Sequence, residues 1–120
     1  MSSERSSFHK LVSESEVPVL VDVYSENCGP CQAMKPVLAD LKERLGDEVR
    51  IIKINGYDNM QFMEDFQIQA FPTLMLFHKG KIVWSRMGFT TVSALEKAVR
   101  QHAAWPKYPF EGFFLSWKEP

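Results

Sequence analysis

The chain has 120 residues, is 45% hydrophobic and carries a formal net charge of −1. That length supports one domain with a substantial core. The near-neutral balance gives no general attraction to nucleic acid or to an anionic membrane surface, and no run approaches the roughly 18 apolar residues of a transmembrane helix.

Residues 1–16 are polar, with Phe8, Leu11 and Val12 at helical spacing, which predicts one short amphipathic helix. The opening Met-Ser-Ser-Glu-Arg-Ser-Ser lacks the basic flank and apolar run of a secretory signal. With few cysteines as well, a reducing, cytoplasmic setting is expected. Val17 to Tyr24 is β-rich and almost continuously apolar, as in a strand covered on both faces, and Asp22 interrupts it with a charge. Met34, Val37, Leu38, Leu41 and Leu45 form one helical stripe over 30–46, closed by Gly46, with Pro36 expected to kink it.

Val49 to Asn55 reads as a second buried strand. Asn59 is placed to cap a short helix in which Phe62 and Phe66 share a face. After Pro72 come a strand over 73–77, a tight turn at His78-Lys79-Gly80-Lys81 and a further strand at 82–84, together a β-hairpin. Thr90 or Thr91 caps a last helix bearing Val92, Leu95, Val99 and His102. The order α-β-α-β-α-β-β-α predicts an α/β sheet with helices on both faces. Met60, Met63, Met75 and Met87 read as core filler.

The only two cysteines lie in Ser25-Glu26-Asn27-Cys28-Gly29-Pro30-Cys31-Gln32. Three readings compete for them. A disulfide closing so short a loop restrains the unfolded chain little and makes a poor staple. A zinc site needs about four N or S ligands, and His9, His78 and His102 show no ligand-like spacing. The third reading is a redox pair. Cys28 follows a strand and opens a helix, where free N–H groups and the helix dipole favour a thiolate. A second thiol one turn later can resolve a mixed disulfide. Within a strand–helix–strand pattern that reading is the strongest of the three.

The chain resembles the thioredoxin family over roughly residues 8–104. The resemblance rests on Val21-Asp22 ahead of the motif, Cys28-Gly29-Pro30-Cys31 itself, Pro36, Lys53, Phe71-Pro72-Thr73 and Gly88, all in one ungapped register. It implies a thioredoxin-like fold: a mixed central sheet of about four strands flanked by helices, with the first strand of the family missing and the edge along Val49–Asn55 left open. It implies a protein-disulfide reductase, a thiol–disulfide oxidoreductase with no cofactor beyond the Cys28–Cys31 pair and no metal. Cys28 attacks, Cys31 resolves, Asp22 takes the Cys31 proton through a water, and Lys53 tempers the Asp22 pKa. Pro72 would be cis and, with Asn27, Gly29, Pro30, Phe71 and Gly88, would line the groove for disulfide-containing protein substrates. An NADPH-dependent flavoprotein reductase would restore the thiols, and the Gly29-Pro30 pair resembles reducing members of the family.

Two departures stand out. The family usually has Trp before the first cysteine and an aromatic-Trp pair after the buried Asp, where this chain has Asn27 and Val23-Tyr24. Asn27 removes a flat apolar wall and puts the substrate range in question. The second departure is an extension, residues 105–120, in which six of 16 residues are aromatic. It divides the chain into a domain over 1–104 and a tail that either packs back on the domain or serves a weak dimer or partner contact. A dedicated redox partner, or a binding module using the tail, are the alternatives to a general reductase.

Overall fold

Val19, Leu20, Val21 and Val23 are apolar on both sides of their strand because that strand lies inside the sheet. The computed structural model describes residues 3–103. Its main elements are α1 (Ser3–Glu14), β1 (Val19–Tyr24), α2 (Gly29–Leu45), β2 (Arg50–Asn55), α3 (Met60–Asp65), β3 (Thr73–His78), β4 (Lys81–Met87) and α4 (Val92–Ala103). Single 3-10 turns at Gly46–Glu48 and Gly56–Asp58 flank β2. The aromatic extension over 105–120 lies outside the described residues.

The strand order is β2-β1-β3-β4. β1 runs parallel to β2 and antiparallel to β3, and β3 runs antiparallel to β4. The sheet is therefore mixed, as expected. A two-residue turn with positive φ at Lys79 and Gly80 joins β3 to β4, in keeping with the right-handed twist of the strands it connects. Its Gly80 N–H donates to Val12 O at 2.9 Å, tying the hairpin to α1.

Strand alternation gives each face its own core. Leu20, Leu74 and Leu76 meet Met34, Leu38 and Leu41 of α2 and Leu95 and Val99 of α4. On the other face Val19, Val21, Val23, Met75 and Phe77 meet Val12 of α1, with Phe8, Phe62 and Phe66 packed against them. Phe8 sits edge-on to Phe62, Phe66 and Phe77, with centroids 5.0, 6.1 and 5.3 Å away. Each fully buried side chain contributes about 1.5–3 kcal/mol relative to exposure.

Several sequence expectations need correction. β2 is half-exposed rather than buried, because it is an outermost strand of the described sheet, on the edge that the resemblance leaves open. Asn59 stands at the start of α3 but makes no capping bond; its side-chain N–H donates to Asn55 O at 2.9 Å instead. The tight turn over His78-Lys79-Gly80-Lys81 forms as expected, with His78 and Lys81 as its paired end residues, while β4 extends further than expected, to Met87. At α4, Thr91 is the cap: its hydroxyl accepts from the Ala94 N–H at 3.2 Å.

Candidate active site

Four loops converge at one end of the sheet. The β1–β2 register pairs Tyr24 with Asn55, so the segment leading to Cys28 and the 56–58 turn leave from the same end. Val23 pairs with Thr73, which puts Pro72 beside them, and Thr73 pairs with Met87, which adds Gly88. Sites in open α/β sheets form beyond the carboxyl ends of the parallel strands, as here.

Cys28 occupies the N-cap of α2, in extended conformation. Its sulfur accepts the Cys31 backbone N–H at 3.1 Å. Pro30 has no N–H, so the first turn offers its free donors to the sulfur and to Cys28 O, which takes the Gln32 N–H at 3.1 Å. The two cysteines form a disulfide with Cα atoms 5.2 Å apart, so the structure represents the oxidised state. Cys28 is partly exposed and Cys31 is 4% exposed. A substrate can reach the first sulfur from solvent, while the second is shielded. Asn27, Gly29 and Pro30 are exposed around Cys28.

Asp22 shares the face of β1 that carries Leu20, under α2. It is 3% exposed, and its Oδ1 has no hydrogen-bond partner among the described residues. Burial pushes the Asp22 carboxyl up to about 6, against the pull of the Lys53 ammonium, which lowers it. Lys53 is the direct cross-strand neighbour of Asp22 and is itself exposed. A carboxyl held near neutrality can exchange a proton at physiological pH, which suits acid–base chemistry.

The Phe71–Pro72 peptide is cis. Pro72 is buried, and its carbonyl accepts the Gly88 N–H at 2.7 Å, binding the two loops together. Gly88 has φ 91°, a conformation that strongly favours glycine. The Phe71 ring meets Tyr57 edge-on with centroids 5.2 Å apart.

Comparison with known proteins fits this geometry. The Thioredoxin family profile matches residues 1–101. The chain belongs to the thioredoxin family. It is 36% identical to a thioredoxin of Rickettsia felis over 90 residues, covering 75% of this chain and 86% of that protein. It is 45% identical over 76 residues to thioredoxin Y, chloroplastic, of Oryza sativa, covering 63% of this chain and 45% of the rice protein. The fold matches a thioredoxin from Nicotiana alata with a TM-score of 0.75 at 27% identity, over 86% of this chain and 88% of that one.

As a member of the thioredoxin family the chain is a thiol–disulfide oxidoreductase, and the Cys28–Cys31 pair is its redox centre. Among the described residues no helix is long and apolar enough to cross a membrane, and no cluster of three or more His, Cys, Asp or Glu side chains is placed to hold a metal.

The thioredoxin-family surface also holds apolar groups that sequence reading missed. Met75 is buried and Met63 half-buried, as core filler would be. Met60 and Met87 are 59% and 63% exposed, as are Tyr57 at 65% and Phe89 at 48%. Met87 and Phe89 flank Gly88, and Tyr57 contacts Phe71. Their position beside Gly88 and Phe71-Pro72 was the available signal.

One further contact positions Phe71. A Cβ on Gly56 would lie 2.6 Å from Phe71 Cε1 and would also strike Met63 Sδ. Gly56→Ala is expected to cost about 1–3 kcal/mol in urea unfolding through overpacking, and to displace the Phe71 ring. Unchanged stability together with unchanged Phe71 chemical shifts would contradict that tight fit.

Proposed function

We propose that this protein reduces protein disulfides by dithiol–disulfide exchange. The observation that carries the reading is the Cys28 sulfur at the helix N-cap, accepting the Cys31 N–H and open to solvent, with Cys31 shielded behind it. A Cys28 thiolate attacks one sulfur of the substrate disulfide. A mixed disulfide forms and one substrate thiolate leaves. Asp22 accepts the Cys31 proton through an intervening water. Cys31 then attacks the Cys28 sulfur, the second substrate thiolate leaves, and two electrons have passed to the substrate. Cys28–Cys31 is left as the disulfide.

Asn27, Gly29, Pro30, Phe71, Pro72 and Gly88 form the substrate surface in this reading. Lys53 holds the Asp22 carboxyl from rising further. Electrons return from an NADPH-dependent flavoprotein reductase, and no cofactor beyond the sulfur pair is required. A reducing compartment such as the cytoplasm suits the reductive direction. A narrower reading, service to one dedicated partner, is favoured by a single observation: the residue beside Cys28 is the exposed, polar Asn27.

Insulin reduction with dithiothreitol as electron source tests the proposal. The wild type is expected to accelerate it, and Cys28→Ser is expected to abolish the acceleration. No catalysis by the wild type would overturn the general-reductase reading in favour of the dedicated partner.

A further inference from the structure

The turn between β2 and α3 is fixed by hydrogen bonds at both ends. The Tyr57 N–H donates to Asn55 Oδ1 at 3.1 Å, the Asn59 N–H to Gly56 O at 3.0 Å and the Asn59 side-chain N–H to Asn55 O at 2.9 Å. On this turn stands Tyr57, 65% exposed, the most exposed large hydrophobic side chain among the described residues. Its hydroxyl bonds to no described residue. A tyrosine has few torsions to fix, and here the backbone is already held, so covering the ring costs little ordering.

The Tyr57 ring meets that of Phe71, the residue before cis-Pro72, edge-on with centroids 5.2 Å apart. Phe71 is held in turn, because its ring fills the space that a Cβ on Gly56 would need. The Phe71 backbone N–H and C=O bond to no described residue, so both are free to pair with an extended chain. On the other side of the site the residue beside Cys28 is the polar, exposed Asn27. Apolar surface near the sulfur pair is therefore offered by the 56–58 turn and by Met87 and Phe89 around Gly88, not by the neighbour of Cys28. Of these exposed groups only Tyr57 has a ring partner among the described residues.

We propose that Tyr57, backed by Phe71, sets substrate choice: it takes an apolar side chain flanking the substrate's disulfide cysteine, and so selects extended segments with apolar residues beside that cysteine. The inference rests on the disulfide-exchange reading above and names the substrate class within it. Continuity selects this occupant. Phe71 belongs both to the ring pair and to the Pro72 loop, so a chain paired along that loop reaches the Tyr57 ring. Tyr57 takes no part in the exchange of sulfurs. It acts by binding, and its effect falls on the half-saturating substrate concentration rather than on the maximal rate.

The test uses the full 120-residue chain, prereduced and freed of external thiol. The probes are two synthetic peptides, each a symmetrical disulfide through one central cysteine, with Lys at both ends. One carries Leu at the two positions on each side of the cysteine, the other Ser. Single-turnover reduction is followed against peptide concentration. The wild type is expected to half-saturate at a Leu-peptide concentration about tenfold below that for the Ser peptide. Tyr57→Ser is expected to raise the Leu-peptide value about tenfold, with the plateau rate and the Ser-peptide value unchanged. Tyr57→Phe is expected to restore the preference, because the ring supplies the contact. Ile82→Ser, at an exposed apolar position at the opposite end of the sheet, is expected to change nothing. Reduction of both peptides with no Leu preference, or a preference that survives intact in Tyr57→Ser, would overturn the inference and leave the disulfide-exchange reading standing. Self-association abolished by Tyr57→Ser would assign the ring to a second copy and overturn it too. Reduction of neither peptide by the wild type would sink the disulfide-exchange reading and this inference with it.

Discussion

Replacing Cys31 by serine is expected to turn the protein from a catalyst into a trap. Cys28 keeps its helix N-cap position and its access to solvent, so attack on the substrate disulfide proceeds. The mixed disulfide then has no neighbouring thiol to break it. Intramolecular attack by a positioned thiol acts at a very high effective concentration, so its replacement by millimolar external thiol slows resolution on the order of 10³-fold or more. Multiple-turnover insulin reduction should fall by that factor. Intact-mass measurement should show one substrate adduct per chain, released by dithiothreitol. Steady turnover with no adduct would show that Cys31 is not the resolving thiol.

The second large effect is expected at Asp22. Its carboxyl titrates near 6 in the folded protein, against 3.8 for an aspartate free in water, because burial disfavours the charge. The folded state therefore holds the proton more tightly than the unfolded chain. This contribution to stability is fully present below about pH 3.8, is lost as pH rises through about 6, and is absent above that. The gap corresponds to about 3 kcal/mol at about 1.36 kcal/mol per pKa unit. Asp22→Asn removes the titration, so at pH 8 the variant is expected to be about 1–3 kcal/mol more stable than the wild type. Urea unfolding of both proteins between pH 3 and 9 measures this directly. An unchanged pH dependence in the variant would place its source elsewhere.

The same substitution is expected to slow release of the mixed disulfide. Loss of a general base costs on the order of 10²-fold at neutral pH. The deficit should shrink as pH rises, because hydroxide then takes over the removal of the proton. In the wild type, single-turnover release should rise through an inflection near pH 6, and the variant should lack it. A variant that is more stable and slower shows the cost of keeping a carboxyl under α2. A variant that is more stable and equally fast would remove Asp22 from the reaction.

What could be read from the sequence was what short-range pattern determines. Val19 to Tyr24 reads as an inner strand because neither of its faces meets water. Cys28 reads as an N-cap thiol because a strand ends just before it and an apolar helical stripe begins just after. Exposure of β2 could not be read this way. Its isoleucines pack under α2 on one side and against the α1–α3 layer on the other, whatever lies at its lateral edge. Sheet order alone places it outermost. Met60 and Met87 misled for a related reason: an unbranched, flexible side chain carries no periodic mark of the direction it faces. Asn59 had the right chemistry for a cap, but the nearby Asn55 carbonyl engaged its side-chain amide.

The central position of β1 has a consequence for how the chain is made. Val23 pairs with Thr73, fifty residues further on, and Val19 with Phe77. During synthesis the apolar strand leaves the ribosome well before the strand that will cover its second edge. At about 5–20 residues per second that interval lasts about 3–10 s. Throughout it Val19, Leu20, Val21 and Val23 form a sticky, half-paired ribbon on a nascent chain. Slow translation between 55 and 73 would lengthen that exposure, and faster translation would shorten it, with the finished fold unchanged.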